Sequence, residues 1–140
     1  MATPLKKPQL YRPAEGHDAK AGSPACLNAV KCACGHVAFP PQHYGCERCG
    51  RSGSDLQEEV LSGQGRLLAS STVHMHAAAY PVAPFTVVEV ELDHGVVTRG
   101  LLAENPPSDL KPGIRVHSIL QAEPAEGGDV LDLRFAVIAN

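Results

Sequence analysis

Four of the five cysteines in this 140-residue chain fall between positions 32 and 49, in Lys31-Cys-Ala-Cys-Gly-His-Val-Ala-Phe-Pro-Pro-Gln-His-Tyr-Gly-Cys-Glu-Arg-Cys-Gly50. They form two close pairs, Cys32/Cys34 and Cys46/Cys49, and a glycine directly follows each pair. Four thiolates can close a tetrahedral shell around Zn2+, and glycines let the backbone turn its amides toward the sulfurs. Two such knuckles make a zinc ribbon. The spacing therefore predicts one structural Zn2+ per chain, held by Cys32, Cys34, Cys46 and Cys49. The first pair is C-x-C rather than the commoner C-x-x-C, which tightens that knuckle. His36 and His43 lie within reach and are alternative ligands; cysteines left reduced or joined as disulfides are the other alternative, which clustering in a cytosolic chain disfavours. A closed four-ligand shell has no open position, so the ion would stabilise structure and would not activate water. Cys26 is read as a spare thiol.

Other chemistry is sparse. The chain has no G-x-S-x-G elbow, P-loop, H-E-x-x-H or dinucleotide fingerprint, and Gly63-Gln-Gly65-Arg66 reads as a turn entering a strand. His74 and His76 share one face of an extended segment and read as solvated, a metal or acid/base pair being the alternative. His94 is explained by a turn. Glu89, Glu91 and Asp93 alternate with Val88, Val90 and Leu92, as on the wet face of a strand. No catalytic residue is assigned, and the chain is not read as an enzyme on its own.

The elements that must carry the ribbon follow from periodicity. Residues 1–25 hold Pro4, Pro8, Pro13 and Pro24 with little apolar pattern, so they cannot bury a core of their own and read as an extended arm lying on something else. Its positives Lys6, Lys7 and Arg12 read by default as a solvated tail. From Gly65 onward the period becomes two. Strands are predicted over residues 67–76, with Leu67, Ala69, Val73 and Met75 on the apolar face, and over 86–93, 96–103, 115–122 and 130–138. Asp93-His94-Gly95 suits a three-residue hairpin with glycine in the left-handed region. Val90, Leu92, Leu133 and Phe135 are expected in the core. Five strands in so short a stretch suggest a small closed barrel of OB type, because closure removes exposed edges. The fold class is thus mainly β: a rubredoxin-like zinc ribbon (26–60) after the arm (1–25), then a five-stranded OB-type barrel (61–140).

Composition limits the partners. Twelve basic and fifteen acidic side chains leave a formal charge of -3, which gives no general attraction to nucleic acid or anionic lipid. With no signal-like start and no long apolar run, the chain reads as cytoplasmic, without membrane contact. From Gly65 onward five basic side chains stand against nine acidic ones, and the barrel's aromatics are only Tyr80, Phe85 and Phe135. A phosphate backbone would be repelled, so a single-stranded nucleic-acid module is disfavoured. The ribbon instead has Lys31, Arg48 and Arg51 against Glu47 alone.

Phe39-Pro-Pro41 and Tyr44-Gly-Cys-Glu-Arg-Cys-Gly50, then Leu61-Ser-Gly-Gln-Gly-Arg66 entering a barrel with Val87-Val-Glu-Val-Glu-Leu92, together resemble the zinc-ribbon/OB-fold family of acyl-CoA-associated proteins, formerly a domain of unknown function. The resemblance covers residues 30–138. Members are small partner subunits of thiolase-like enzymes, such as that of a benzoylsuccinyl-CoA-type thiolase, or of acyl-CoA hydratases, in aromatic, steroid or isoprenoid-type pathways. It implies the ligand set Cys32, Cys34, Cys46 and Cys49, and a hetero-oligomer in which a thiolase-like subunit supplies the catalytic residues. Lys31, Arg48 and Arg51 are the candidates for contact with CoA or with that partner, and CoA is expected to be shared with it. A stand-alone acyl-CoA-binding protein is the alternative.

Overall fold

The computed structural model describes residues 3–77, 81–104 and 106–138, and among them it has nine strands, one 3-10 turn and no α-helix. The five C-terminal strands are β5 (Gln64–Val73), β6 (Phe85–Leu92), β7 (Val97–Leu101), β8 (Arg115–Glu123) and β9 (Val130–Val137), in the antiparallel order β7-β6-β5-β8-β9. This sheet curls into an OB-like half-barrel, whose edge strands meet where the Ala103 N–H donates to the Phe135 carbonyl at 2.8 Å. β6 alternates as expected: Val88, Val90 and Leu92 are buried, while Glu89 and Glu91 face outward to Arg99 and Arg66. β6 and β7 join through Asp93-His94-Gly95, with Gly95 at φ +88° and its N–H on the Leu92 carbonyl.

Three details depart from the pattern. β5 ends at Val73, and a register shift between Leu67 and Ala69 breaks its alternation, because a bulge moves every later side chain to the other face. Leu67, before the bulge, is buried and Ala69, after it, is exposed, while Met75, beyond the end of β5, is 90% exposed. Leu133 is only half-buried, at the margin of a core that holds Phe135 at its centre. Gly63-Gln-Gly65 is not a turn. A Cβ on Gly63 would stand 1.5 Å from Ser118 Oγ, and one on Gly65 2.4 Å from the Glu91 carbonyl oxygen, so both glycines serve close strand approach. Tyr80 lies outside the described residues.

The N-terminal half forms a second sheet from β1 (Tyr11–Pro13), β2 (Ala25–Cys32), β3 (Val37–Ala38) and β4 (Leu56–Ser62). β2 is central, with β1 and β3 along one edge and β4 along the other. Its alternate residues Ala25, Leu27 and Ala29 join Tyr11, Leu61 and the inner side chains of the half-barrel in one apolar cluster.

The proline-rich segment before β2 borrows this core and pairs with the half-barrel's strands. Lys6 N–H donates to the Leu131 carbonyl and Leu131 N–H to the Pro4 carbonyl, both at 2.8 Å, beside β9. Gly22 N–H donates to the Leu120 carbonyl at 2.7 Å and Leu120 N–H to the Ser23 carbonyl at 2.9 Å, beside β8. Tyr11 is 2% exposed; its hydroxyl faces the Leu131 carbonyl at 2.9 Å and Asp132 Oδ1 at 3.0 Å. The solvated-tail expectation fails for Lys6, whose Nζ lies 2.7 Å from Glu123 Oε1. Arg134, 4% exposed, bonds the same Glu123 at 3.3 Å and Asp132 at 2.9 Å. Buried charge is tolerable only when paired, and the arm's lysine completes the pairing.

Two outcomes are expected. Phe135→Ala should cost about 3–5 kcal/mol in urea unfolding, since it empties the middle of the shared core; a loss below about 1 kcal/mol would contradict that position. Burial pushes the Asp132 carboxyl up, but hydrogen bonds from Arg134 and from the Leu133 N–H outweigh it and hold the group below its ordinary value. A depressed carboxyl stabilises above its unfolded value, about 3.9, and loses that contribution as pH falls through the folded one. Asp132→Asn should thus unfold at lower urea than the native chain at pH 7, and the gap should narrow at pH 3; an equal gap at both would rule out the charge as its source.

Candidate metal centre

The centre is built where β2 runs out. Cys32 ends β2; the chain turns through Ala33-Cys34-Gly35, with Gly35 N–H donating to the Cys32 carbonyl and Cys32 N–H to the His36 carbonyl, each at 2.8 Å. It returns along β3, setting Val30 opposite Ala38 and Lys31 opposite Val37. The second knuckle repeats the device: Gly50 N–H donates to the Cys46 carbonyl at 2.9 Å and Cys46 N–H to the Arg51 carbonyl at 2.8 Å. Gly35 and Gly50 sit at φ +100° and +82°, in the left-handed region where a side chain would be strained. The Ala33 N–H donates to the Asp55 carbonyl, tying the first knuckle to the 3-10 turn Gly53–Asp55 that leads into β4.

The four sulfurs all lie within 4.8 Å of one another, with Cys32 Sγ 3.5 Å from Cys49 Sγ and Cys34 Sγ 3.8 Å from Cys46 Sγ. Sulfurs at about 2.3 Å around a tetrahedral ion stand roughly 3.8 Å apart, so the donor set fits one metal ion of thiolate preference, and zinc is compatible with it. The separations are far too long for disulfides, and all five cysteines are free. Cys32 and Cys46 are buried, Cys34 half-buried and Cys49 exposed.

Protons already distribute unevenly over the sulfurs. Cys46 falls to about 6, because its thiolate accepts from the Cys49 backbone N–H and, against burial, from that of Arg48, 3.4 Å away. Cys32 rises to about 12: the Cys34 N–H favours its thiolate, but burial and the neighbouring thiols outweigh that. A bound cation would bring every ligand to the thiolate form.

Neither histidine alternative joins the cluster. His36 Nε2 instead lies 2.8 Å from Glu47 Oε1. Cys26 stands apart on β2, opposite Arg12 and Ser62, its thiol pushed up by burial and eased by Arg12. His74 and His94 are exposed, and His76 sets its ring edge-on to Phe85 with centroids 5.1 Å apart. Lys31, Arg48 and Arg51 are all exposed on the ribbon, and none has a carboxylate ion-pair partner among the described residues. The fold does not gather them. Arg48 faces a groove of about 370 Å³ between the ribbon and the β6–β7 hairpin, with His36, Glu47 and His94. Lys31 and Arg51 do not line it.

Sequence reasoning missed the charge cluster in which buried Glu123 and Arg134 meet half-buried Asp132 and the exposed Lys6. Alternation put Asp132 and Arg134 on the face of β9 opposite Leu131 and Phe135, which normally means water; on that side Tyr11 and Lys6 of the arm reach Asp132 and Glu123. No helix among the described residues is long and apolar enough to cross a membrane.

Residues 58–120 match the family model of the ChsH2 C-terminal OB-fold domain. A solved chain of the Ltp2-ChsH2(DUF35) aldolase superposes with TM-score 0.58 at 24% identity, covering 77% of this chain and 83% of that one, which speaks to the fold. A DUF35 domain-containing scaffold protein of Methanocaldococcus jannaschii is 30% identical over 106 residues, 74% of each chain. One of Methanothermobacter thermautotrophicus is 30% identical over 105 residues, 74% of this chain and 77% of its own length. Identity at that level over three-quarters of both chains is more than shared architecture, and this chain belongs to the family of DUF35 domain-containing scaffold proteins.

Proposed function

We propose that this chain is a non-catalytic, zinc-containing accessory subunit that docks on a thiolase-like catalytic subunit and helps to shape its acyl-CoA site. Membership in a family of scaffold proteins carries the reading. It is supported by the cysteine centre, whose four thiolates would fill the shell of a structural ion. The solved neighbour adds a specific direction, for it is a chain of the Ltp2-ChsH2(DUF35) aldolase, and an aldolase, like a thiolase, makes or breaks a carbon–carbon bond. In this reading residues 26–60 are the ribbon, 61–140 the barrel and 1–25 the arm. Zinc, when bound, would draw both knuckles into one rigid unit. The chain's own residues then supply contact: Arg48 in the groove beside the β6–β7 hairpin, and the exposed Lys31 and Arg51 elsewhere on the ribbon, suit an anionic CoA tail or an acidic partner surface.

Mass spectrometry of the purified chain should find about one zinc ion, and Cys46→Ser should lose it together with the ordered ribbon, because roughly 10 to 16 kcal/mol of binding energy is coupled to folding. Acidification should release the metal as protons compete for the thiolates. A well-folded, metal-free native chain would refute the zinc assignment.

Arg48→Glu combined with Arg51→Glu should weaken the complex or raise the apparent KM for CoA, with zinc content unchanged. The decisive assay mixes separately purified subunits. Full activity and stability of the thiolase-like chain without this protein would defeat the accessory role.

A further inference from the structure

β4 pairs along its whole length with β2 and, among the described residues, with no other strand. Backbone direction decides which of its groups that pairing uses. Asn28 N–H donates to the Leu10 carbonyl and Cys32 N–H to the His36 carbonyl, so the even-numbered residues of β2 face β1 and β3. Leu27, Ala29 and Lys31 therefore face β4 and bond to Leu61, Glu59 and Gln57, their register partners. The N–H and C=O groups of Leu56, Glu58 and Val60 point the other way, along an edge where they have no backbone partner among the described residues. Elsewhere the arm covers such edges, with residues 4–6 beside β9 and 22–24 beside β8. Nothing among the described residues does the same for β4.

An open edge is a template for another strand, and its side chains decide which strand it accepts. Glu58 is exposed and Glu59 half-buried, and neither carboxylate has a cation within ion-pair distance among the described residues. Val60, 47% exposed, is the apolar member of the row. A second copy pairing antiparallel about the midpoint of this strand would set Glu59 opposite its own mate and Glu58 diagonal to its own. Like charges directly opposite destabilise a strand pair, whereas opposite charges favour it. The two glutamates also line, with Pro8, Leu10 and Pro41, a groove of about 390 Å³. A long basic side chain has there an apolar wall for its stem and carboxylates for its head.

We propose that the open edge of β4 takes up an extended segment of another protein in which lysine or arginine alternates with apolar residues. The segment adds a fifth strand to the N-terminal sheet through main-chain bonds to Glu58 and Val60, and its cations meet Glu58 and Glu59. This surface shares no residue with the Arg48 groove and stands independently of the docking role given to the ribbon's cations.

The test titrates a hexapeptide alternating lysine and valine, acetylated and amidated at its ends, into the full-length, 15N-labelled, zinc-loaded chain. At millimolar concentration it should shift the Glu58 and Val60 amide signals and slow their exchange with solvent at least several-fold, because those N–H groups gain acceptors. Gln57 and Glu59, whose N–H groups already face β2, should keep their exchange rates. The same peptide N-methylated throughout keeps its charge but loses its donors, and it should bind at least several-fold more weakly, as should a peptide alternating glutamate and valine. Glu58→Lys combined with Glu59→Lys should transfer the preference to the glutamate peptide. Equal binding of the methylated or the glutamate peptide by the native chain, unchanged exchange at Glu58 and Val60, or a concentration-dependent dimer formed through β4 would overturn the proposal.

Discussion

A curled sheet is stable only if the backbone groups along its splayed edges find partners, and in this protein that requirement organises the chain. β5 pairs with β8 through only Gln64, Gly65 and Arg66 before the two strands part. Beyond that point β8 faces away from β5, and β9 exposes an edge near Leu131. Residues 22–24 fill the first gap and residues 4–6 cover the second. A segment too proline-rich to form a core thus becomes part of one. Tyr11 enters the apolar cluster, and Lys6 completes a buried set of charges that would otherwise hold an excess carboxylate.

The same continuity places the metal centre. β4 runs through Gly63 almost directly into β5, and the missing side chain lets Ser118 and the Ala25 carbonyl approach. β2, paired with β4 from Cys26 to Cys32, sends its inner residues into the common core and its last residue into the cysteine cluster. The ribbon is therefore anchored at its base by apolar packing. At its tip, hydrogen-bonded turns around two left-handed glycines aim the sulfurs together. This division suits a scaffold: the base holds the ribbon to the barrel, and the exposed tip carries positive side chains outward.

Cysteine spacing, the glycine after each pair and the two-residue period of β6 are local properties, written into a few consecutive residues, and they determined the cysteine cluster, the β6–β7 hairpin and the mainly β class. The quoted motifs also pointed to the family. Tertiary structure decided the rest. The bulge at Leu68 depends on fitting β5 against β6, so no alternation within β5 could announce that Ala69 turns outward. Asp132 looked like part of a wet strand face because its partners Lys6 and Tyr11 lie more than a hundred residues away in sequence. Gly63 and Gly65 looked like turn residues for the same reason: the atoms that exclude a Cβ belong to Ser118, Ala25 and Glu91, and only the packed fold brings them there.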